Sequence, residues 1–213
     1  MSQSAVVPQA AASRRSRLLT ALWWVMLPLS LTVVAYAMHY FVSRPGDEHF
    51  ARFLVPLRLH IAGGMGALLA GPWQFSTRLR SKALNFHRWM GRFYLLEVAL
   101  GAIAGFFMSM VSRGGMATHL GFGILAVVWF YSGLQAYRMA RRGNIEAHQR
   151  WMIRNFALTL AAVTLRIYLP LMVGVLHRPF APSFIAVSWL CWVPNALVAE
   201  WMVRERRASP AAA

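Results

Sequence analysis

The sequence predicts an all-α integral membrane protein with six transmembrane helices, and three observations carry that prediction. Of 213 residues, 58% are hydrophobic and only 13% charged, whereas a soluble domain carries about 25% charged residues. The apolar residues fall into six runs long enough to cross the ~30 Å hydrocarbon core of a bilayer. The 22 Lys and Arg against 6 Asp and Glu give a net charge of +16. These charges sit in short clusters between the apolar runs, which is the membrane pattern and not a nucleic-acid-binding face. Disorder and a soluble globule are excluded on the same grounds. The single cysteine, Cys191, excludes an internal disulfide framework and a thiolate metal cage.

The spans follow in order. The first runs from about Leu18 to Phe41, the second from about Arg52 to Phe75 and the third from about Trp89 to Val111. The fourth runs from about Met116 to Met139, the fifth from about Trp151 to Leu176 and the sixth from about Ser183 to Val203. Residues 1–17 form a basic N-terminus, 18–203 the membrane domain and 204–213 a tail. The first run also admits a leader reading, with Arg14, Arg15 and Arg17 as its basic start and Ala35-Tyr36-Ala37 as a cleavage site; Ser13 to Leu19 loosely resembles a twin-arginine signal. Its apolar run exceeds the 7–15 residues of a typical leader, so a signal anchor fits better.

Orientation follows from the basic residues flanking the spans. With the N-terminus inside, fourteen lie on the inner side: Arg14, Arg15, Arg17, Arg78, Arg80, Lys82, Arg88, Arg138, Arg141, Arg142, Arg150, Arg204, Arg206 and Arg207. Four lie on the outer side: Arg44, Arg52, Arg113 and Arg178. Both termini are therefore expected in the cytoplasm, with a basic face toward anionic lipid headgroups. Trp23, Trp24, Trp73, Trp89, Trp151 and Trp201 stand toward span ends, as interfacial anchors do.

The chain carries an internal repeat. Arg88-Trp89-Met90-Gly91-Arg92 matches Arg150-Trp151-Met152-Ile153-Arg154 at four of five positions, and each is preceded by a histidine, His87 or His148, and by an asparagine, Asn85 or Asn144. Upstream, His60-x-x-x-Gly64 matches His119-x-x-x-Gly123, with Ala67 and Ala126 at the same offset. The histidine spacings are 27 and 29 residues. The matched residues are rare types, which argues against the coincidental likeness of apolar segments. Spans two and three (about 52–112) thus read as a repeat of spans four and five (about 113–176). Parallel repeats are related by a pseudo-two-fold along the membrane normal. A four-helix core of spans two to five follows, with spans one and six peripheral.

The histidines carry the functional expectation. His39, His49 and His177 lie at the outer end or in outer loops and read as solvated or interfacial. Ionisable groups within spans are costly and are functional candidates by default. The pseudo-two-fold sets mates at one level, so an outer pair, His60 with His119, and an inner pair, His87 with His148, are expected. Paired imidazoles in a bundle core suit a six-coordinate b-type haem. Gly64 and Gly123 stand one turn beyond His60 and His119 on the same faces, where they would make room for a macrocycle. Gly63 and Ala67 extend that small face; tight helix packing is the competing explanation. Arg92, Arg154, Arg58 and Arg166 are candidate partners of haem propionates, with simple snorkelling as the alternative. Glu97 is the deepest acid, expected to pair with Arg92 or Arg166, to serve a proton path, or to stay neutral. No His-Glu-x-x-His, acidic cluster or Cys pair marks another metal site, and no Ser/His/Asp arrangement or phosphate-cradling Gly loop marks an enzyme.

From His60 through Arg166 the chain resembles the bacterial predicted membrane proteins classed as domain of unknown function 2306. The resemblance rests on His87-Arg88-x-x-Gly91-Arg92 and His148-x-x-Trp151-Met152-x-Arg154. It brings no activity with it, and it implies a bacterial inner membrane. The layout is also similar to the transmembrane di-haem cytochromes of the b-561 type, in which four histidines on spans two to five hold two haems. By that resemblance His60, His119, His87 and His148 are the ligands of two haem b groups, and the implied function is electron transfer across the membrane from a quinol or soluble reductant. The donor-binding motifs of those cytochromes are missing here. Two other readings compete: a haem-free structural or assembly protein, and a small-molecule transporter, in which Pro56, Pro72, Pro170 and Pro194 would break or end helices.

Overall fold

A computed structural model describes residues 24–42 and 48–208, with the side chains of 49, 50 and 206–208 left aside. The expected start of span one at Leu18, the Ser13–Leu19 motif, the basic N-terminus and Arg44 lie outside the described residues. Six helices are long and apolar enough to cross a membrane: Trp24–Val42, Leu54–Gln74, Leu84–Met110, Met116–Arg141, Ile145–Val175 and Phe180–Glu205. They are spans one to six below. No strand occurs among the described residues.

The third and fifth helices begin about one and a half turns before the positions expected from hydropathy. Trp89 and Trp151 anchor those spans, but the helices continue past them through polar residues. At span five the reason is a cap: the Asn144 side chain accepts the Ala147 N–H at 3.0 Å, satisfying one of the orphan donors at a helix start. Gly143, at φ +73°, makes the left-handed turn that separates spans four and five. Between spans two and three a short helix, Thr77–Lys82, lies at the same end, capped by Ser76. This end carries Arg78, Arg80, Lys82, Arg138, Arg141 and Arg142 and is called the basic end.

The prolines sit where a helix tolerates them. Pro56 lies in the first turn of span two and Pro72 in its last. Pro170 ends the regular part of span five, and Leu171–Val175 continues as a wider π turn. Span six is broken between Leu190 and Val193, with Pro194 in the first turn of its second half.

Spans two to five pack in sequence, each against the next, and the fifth returns to the second. Span six lies on the outside of spans four and five. Span one touches the bundle through Val33, which packs with Leu68 and Val163. The expected four-helix core with peripheral first and sixth spans is therefore present. Lipid offers helices no hydrophobic drive to associate, so close packing of small residues matters. Spans two and three supply it: a Cβ on Gly63 would strike the Gly101 backbone, and one on Gly66 would strike the Glu97 side chain.

Candidate functional site

The middle of the bundle is a closed polar network joining spans three, four and five. Tyr94, fully buried, donates to Asn155 Oδ1 at 2.6 Å and lies 3.0 Å from Thr159 Oγ1. Asn155 donates to the Trp129 carbonyl at 2.8 Å and to Ser132 Oγ at 2.9 Å. Trp129 Nε1 donates to Thr159 at 2.9 Å. Each of these polar groups has a partner, so the network holds spans three and five face to face.

That contact positions the histidines of the basic end. His87 precedes Tyr94 by seven residues, and His148 precedes Asn155 by seven. Seven residues return to the same helix face two turns away, about 10 Å along the axis. The two histidines therefore share the helix faces of the network residues, and they lie within electrostatic range of one another. His148 donates from Nδ1 to the Ala136 carbonyl at 2.9 Å, which leaves its Nε2 lone pair free. His87 Nδ1 is buried without a hydrogen-bond partner.

The opposite end is built differently. His60 donates from Nδ1 to the Gly101 carbonyl at 2.8 Å, its ring lying against Gly105. His119 donates from Nε2 to the Ser112 carbonyl at 2.9 Å. Gly101 and Ser112 are eleven residues apart on span three and its end, roughly 16 Å along the axis. The structure thus does not oppose His60 and His119 across one iron. His60 instead has Arg166 in electrostatic range. Arg166 donates to the Ala162 carbonyl at 2.9 Å and lies over the Tyr36 ring at 5.9 Å, with its Nε buried and unpartnered. Arg58 donates to the Tyr40 carbonyl at 3.3 Å, tying span two to span one.

The other candidates separate by role. Gly64 faces open space, with no atom within 4 Å of an added Cβ, whereas Gly123 packs against Ser109, Met110 and Phe106. Arg92 stacks on Trp89 at 5.0 Å and Arg154 on Trp151 at 4.9 Å. The repeated motif is therefore a repeated cation–π pair. Arg154 also pairs with Glu200 of span six at 2.8 Å. Glu97 packs against Gly66 and makes an ion pair with neither Arg92 nor Arg166.

The structure adds residues that sequence reasoning missed. Arg80 and Arg88 lie within electrostatic range of His87. From sequence, Arg80 reads only as a topology signal, and Arg88 as a topology signal within the repeated motif. Gln74, at the end of span two, buries an amide whose Nε2 has no partner, and its Oε1 would meet a Cβ on Gly91 at 3.0 Å. Gly91 lies one turn beyond His87, on its face. A lone amide closing an apolar run was the available signal. The orphaned atoms of His87 and Gln74 mark a place where a polar group or ligand is wanted.

Bis-histidine ligation requires two opposed imidazoles, each with a free nitrogen, and a ligating histidine usually gives its other N–H to a carbonyl or carboxylate. His148 gives its Nδ1–H to a carbonyl and keeps Nε2 free; His87 lies within electrostatic range of it, with Nδ1 unpartnered. At the basic end the two histidines lie within electrostatic range of one another; at the opposite end His60 and His119 bond carbonyls separated along span three. Arg154 is committed to Glu200, so Arg80 and Arg88 are the better-placed cations.

A bundle of six apolar spans with a buried polar centre defines a multi-pass membrane protein. The chain matches the family described as predicted membrane protein, domain of unknown function 2306, over residues 57–203, and it belongs to that family. No curated protein and no solved structure matches it.

Proposed function

We propose that this protein is a b-type cytochrome of the membrane that binds haem between His87 and His148 and carries electrons at its basic end. The observation that carries this reading is the seven-residue register: Tyr94 with Asn155 fixes spans three and five, and His87 and His148 stand two turns below on the facing sides. Haem bound there would supply a one-electron couple, tuned by its axial ligands and its burial. The residues hold and orient. His148 is aimed by the Ala136 carbonyl. Arg80 and Arg88 would compensate the propionates. The Tyr94 network closes the site from above, and the short helix Thr77–Lys82 borders it at the basic end. By the excess of Lys and Arg, the basic end would face the cytoplasm of a bacterial inner membrane, where a quinol or soluble reductant would be the electron donor.

One haem at the basic end is proposed in place of the two expected, because His60 and His119 turn to carbonyls separated along span three. One further reading has its own support. His60, His119 and His148 each bond a backbone carbonyl across a helix or loop, as they would in a haem-free structural protein.

The test is spectroscopic. The protein is purified in mild detergent after expression with haem supply, and oxidised and dithionite-reduced spectra are recorded with a pyridine haemochrome assay. The proposal expects sharp reduced bands of a low-spin b haem at about one haem per chain. A colourless protein that stays colourless on adding haemin would contradict it and favour the haem-free reading.

A further inference from the structure

Two grooves near the basic end each carry the arginine of the repeated motif, and they differ in one charge. The first, about 260 Å³, lies between spans three and four and is lined by Arg92, Leu96, Ala99, Phe130, Leu134 and Tyr137 among others. The second, about 380 Å³, lies between spans four, five and six and includes Trp151, Arg154, Leu158, Leu197 and Glu200. Arg92 and Leu96 correspond to Arg154 and Leu158 at a common offset of 62 residues. Each arginine stacks on the tryptophan one turn before it, at 5.0 and 4.9 Å. Side chains on a helix lean toward its N-terminus, so both guanidinium groups reach toward the basic membrane surface.

In the second groove the protein supplies the anion itself, with Glu200 at 2.8 Å from Arg154. In the first groove span six has no counterpart. The chain has only six acids. Glu146 pairs with Arg150, Glu200 pairs with Arg154 and Arg204, and Glu97 turns toward span two. Arg92 makes no ion pair among the described residues. Its side chain is exposed above an apolar groove that opens sideways to lipid.

We propose that the groove between spans three and four binds one anionic phospholipid, with its headgroup phosphate on Arg92 and an acyl chain along Leu96, Ala99 and Phe130. The lipid phosphate gives Arg92 the anion that Glu200 gives Arg154. The charge favours an anionic lipid over a zwitterionic one, and the apolar lining favours a lipid over a free phosphate. This inference does not depend on haem.

Native mass spectrometry of the full chain, released from detergent containing equal dioleoyl phosphatidylglycerol and dioleoyl phosphatidylcholine, tests it. One retained phosphatidylglycerol is expected, preferred roughly fivefold, the scale of one arginine near an anionic surface. Arg92→Gln removes that preference, and Leu96→Trp removes it with the arginine intact, so a poorly folding Arg92 variant does not leave the question open. Arg204→Gln, which removes a charge at the same end, leaves the preference unchanged. A preference that survives both groove variants overturns the proposal. So does full displacement of the lipid by glycerol phosphate, which assigns the site to a soluble anion.

Discussion

Asn155 joins three spans through one side chain. Its amide serves Trp129 and Ser132, and its oxygen receives Tyr94. Removing one partner of a buried hydrogen bond costs about 1–3 kcal/mol. Tyr94→Phe is therefore expected to lower the thermal unfolding midpoint in detergent modestly, and Asn155→Ala to lower it more, because three contacts go at once. Equal midpoints for wild type and Asn155→Ala would show that the network contributes nothing. The adjacent glycines of span two separate just as sharply. Gly63→Ala drives a Cβ into the Gly101 backbone, while Gly64→Ala meets nothing. The first is expected to abolish folded protein in size-exclusion chromatography. The second is neutral or stabilising by up to about 1 kcal/mol, the helix preference of Ala over Gly. Sequence placed both glycines on one small-residue face. Only packing distinguishes the residue that touches span three from the one that does not.

At the scale of the element, helix ends decide the site. His148 lies in the first turn of span five, and that turn depends on the Asn144 cap. Asn144→Ala is expected to cost about 1 kcal/mol and to reduce haem occupancy more than overall stability, since fraying releases His148 before the core. Unchanged haem content would show that the cap does not position His148. Span existence and number were legible in the apolar runs, because a bilayer imposes a length. The starts of spans three and five were not. Hydropathy marks where lipid begins, whereas the helix continues into the interface as far as its cap allows.

For the whole molecule, the repeat holds at one end and fails at the other. At the basic end the sequence match is a structural match, seen in the two Arg–Trp pairs and in the equal spacing from each histidine to the central network. At the opposite end His60 turns to Gly101 and His119 to Ser112. Gly105 admits the His60 ring, and spans one and six, which lie outside the repeat, bring their own contacts. Sequence similarity equates positions along a helix; it does not reveal which neighbour each side chain turns toward. The outer pair was therefore legible as residues but not as a geometry, whereas the register of the inner pair on its two helices was legible.

The most direct measurement is the haem content of four single variants, His60→Ala, His87→Ala, His119→Ala and His148→Ala, purified in parallel and read by pyridine haemochrome, with size-exclusion profiles confirming folded protein. Loss of low-spin haem in His87→Ala and His148→Ala, with haem retained in the other two, is the predicted result. Haem that survives both basic-end substitutions, or that is lost instead with His60 and His119, would contradict the account.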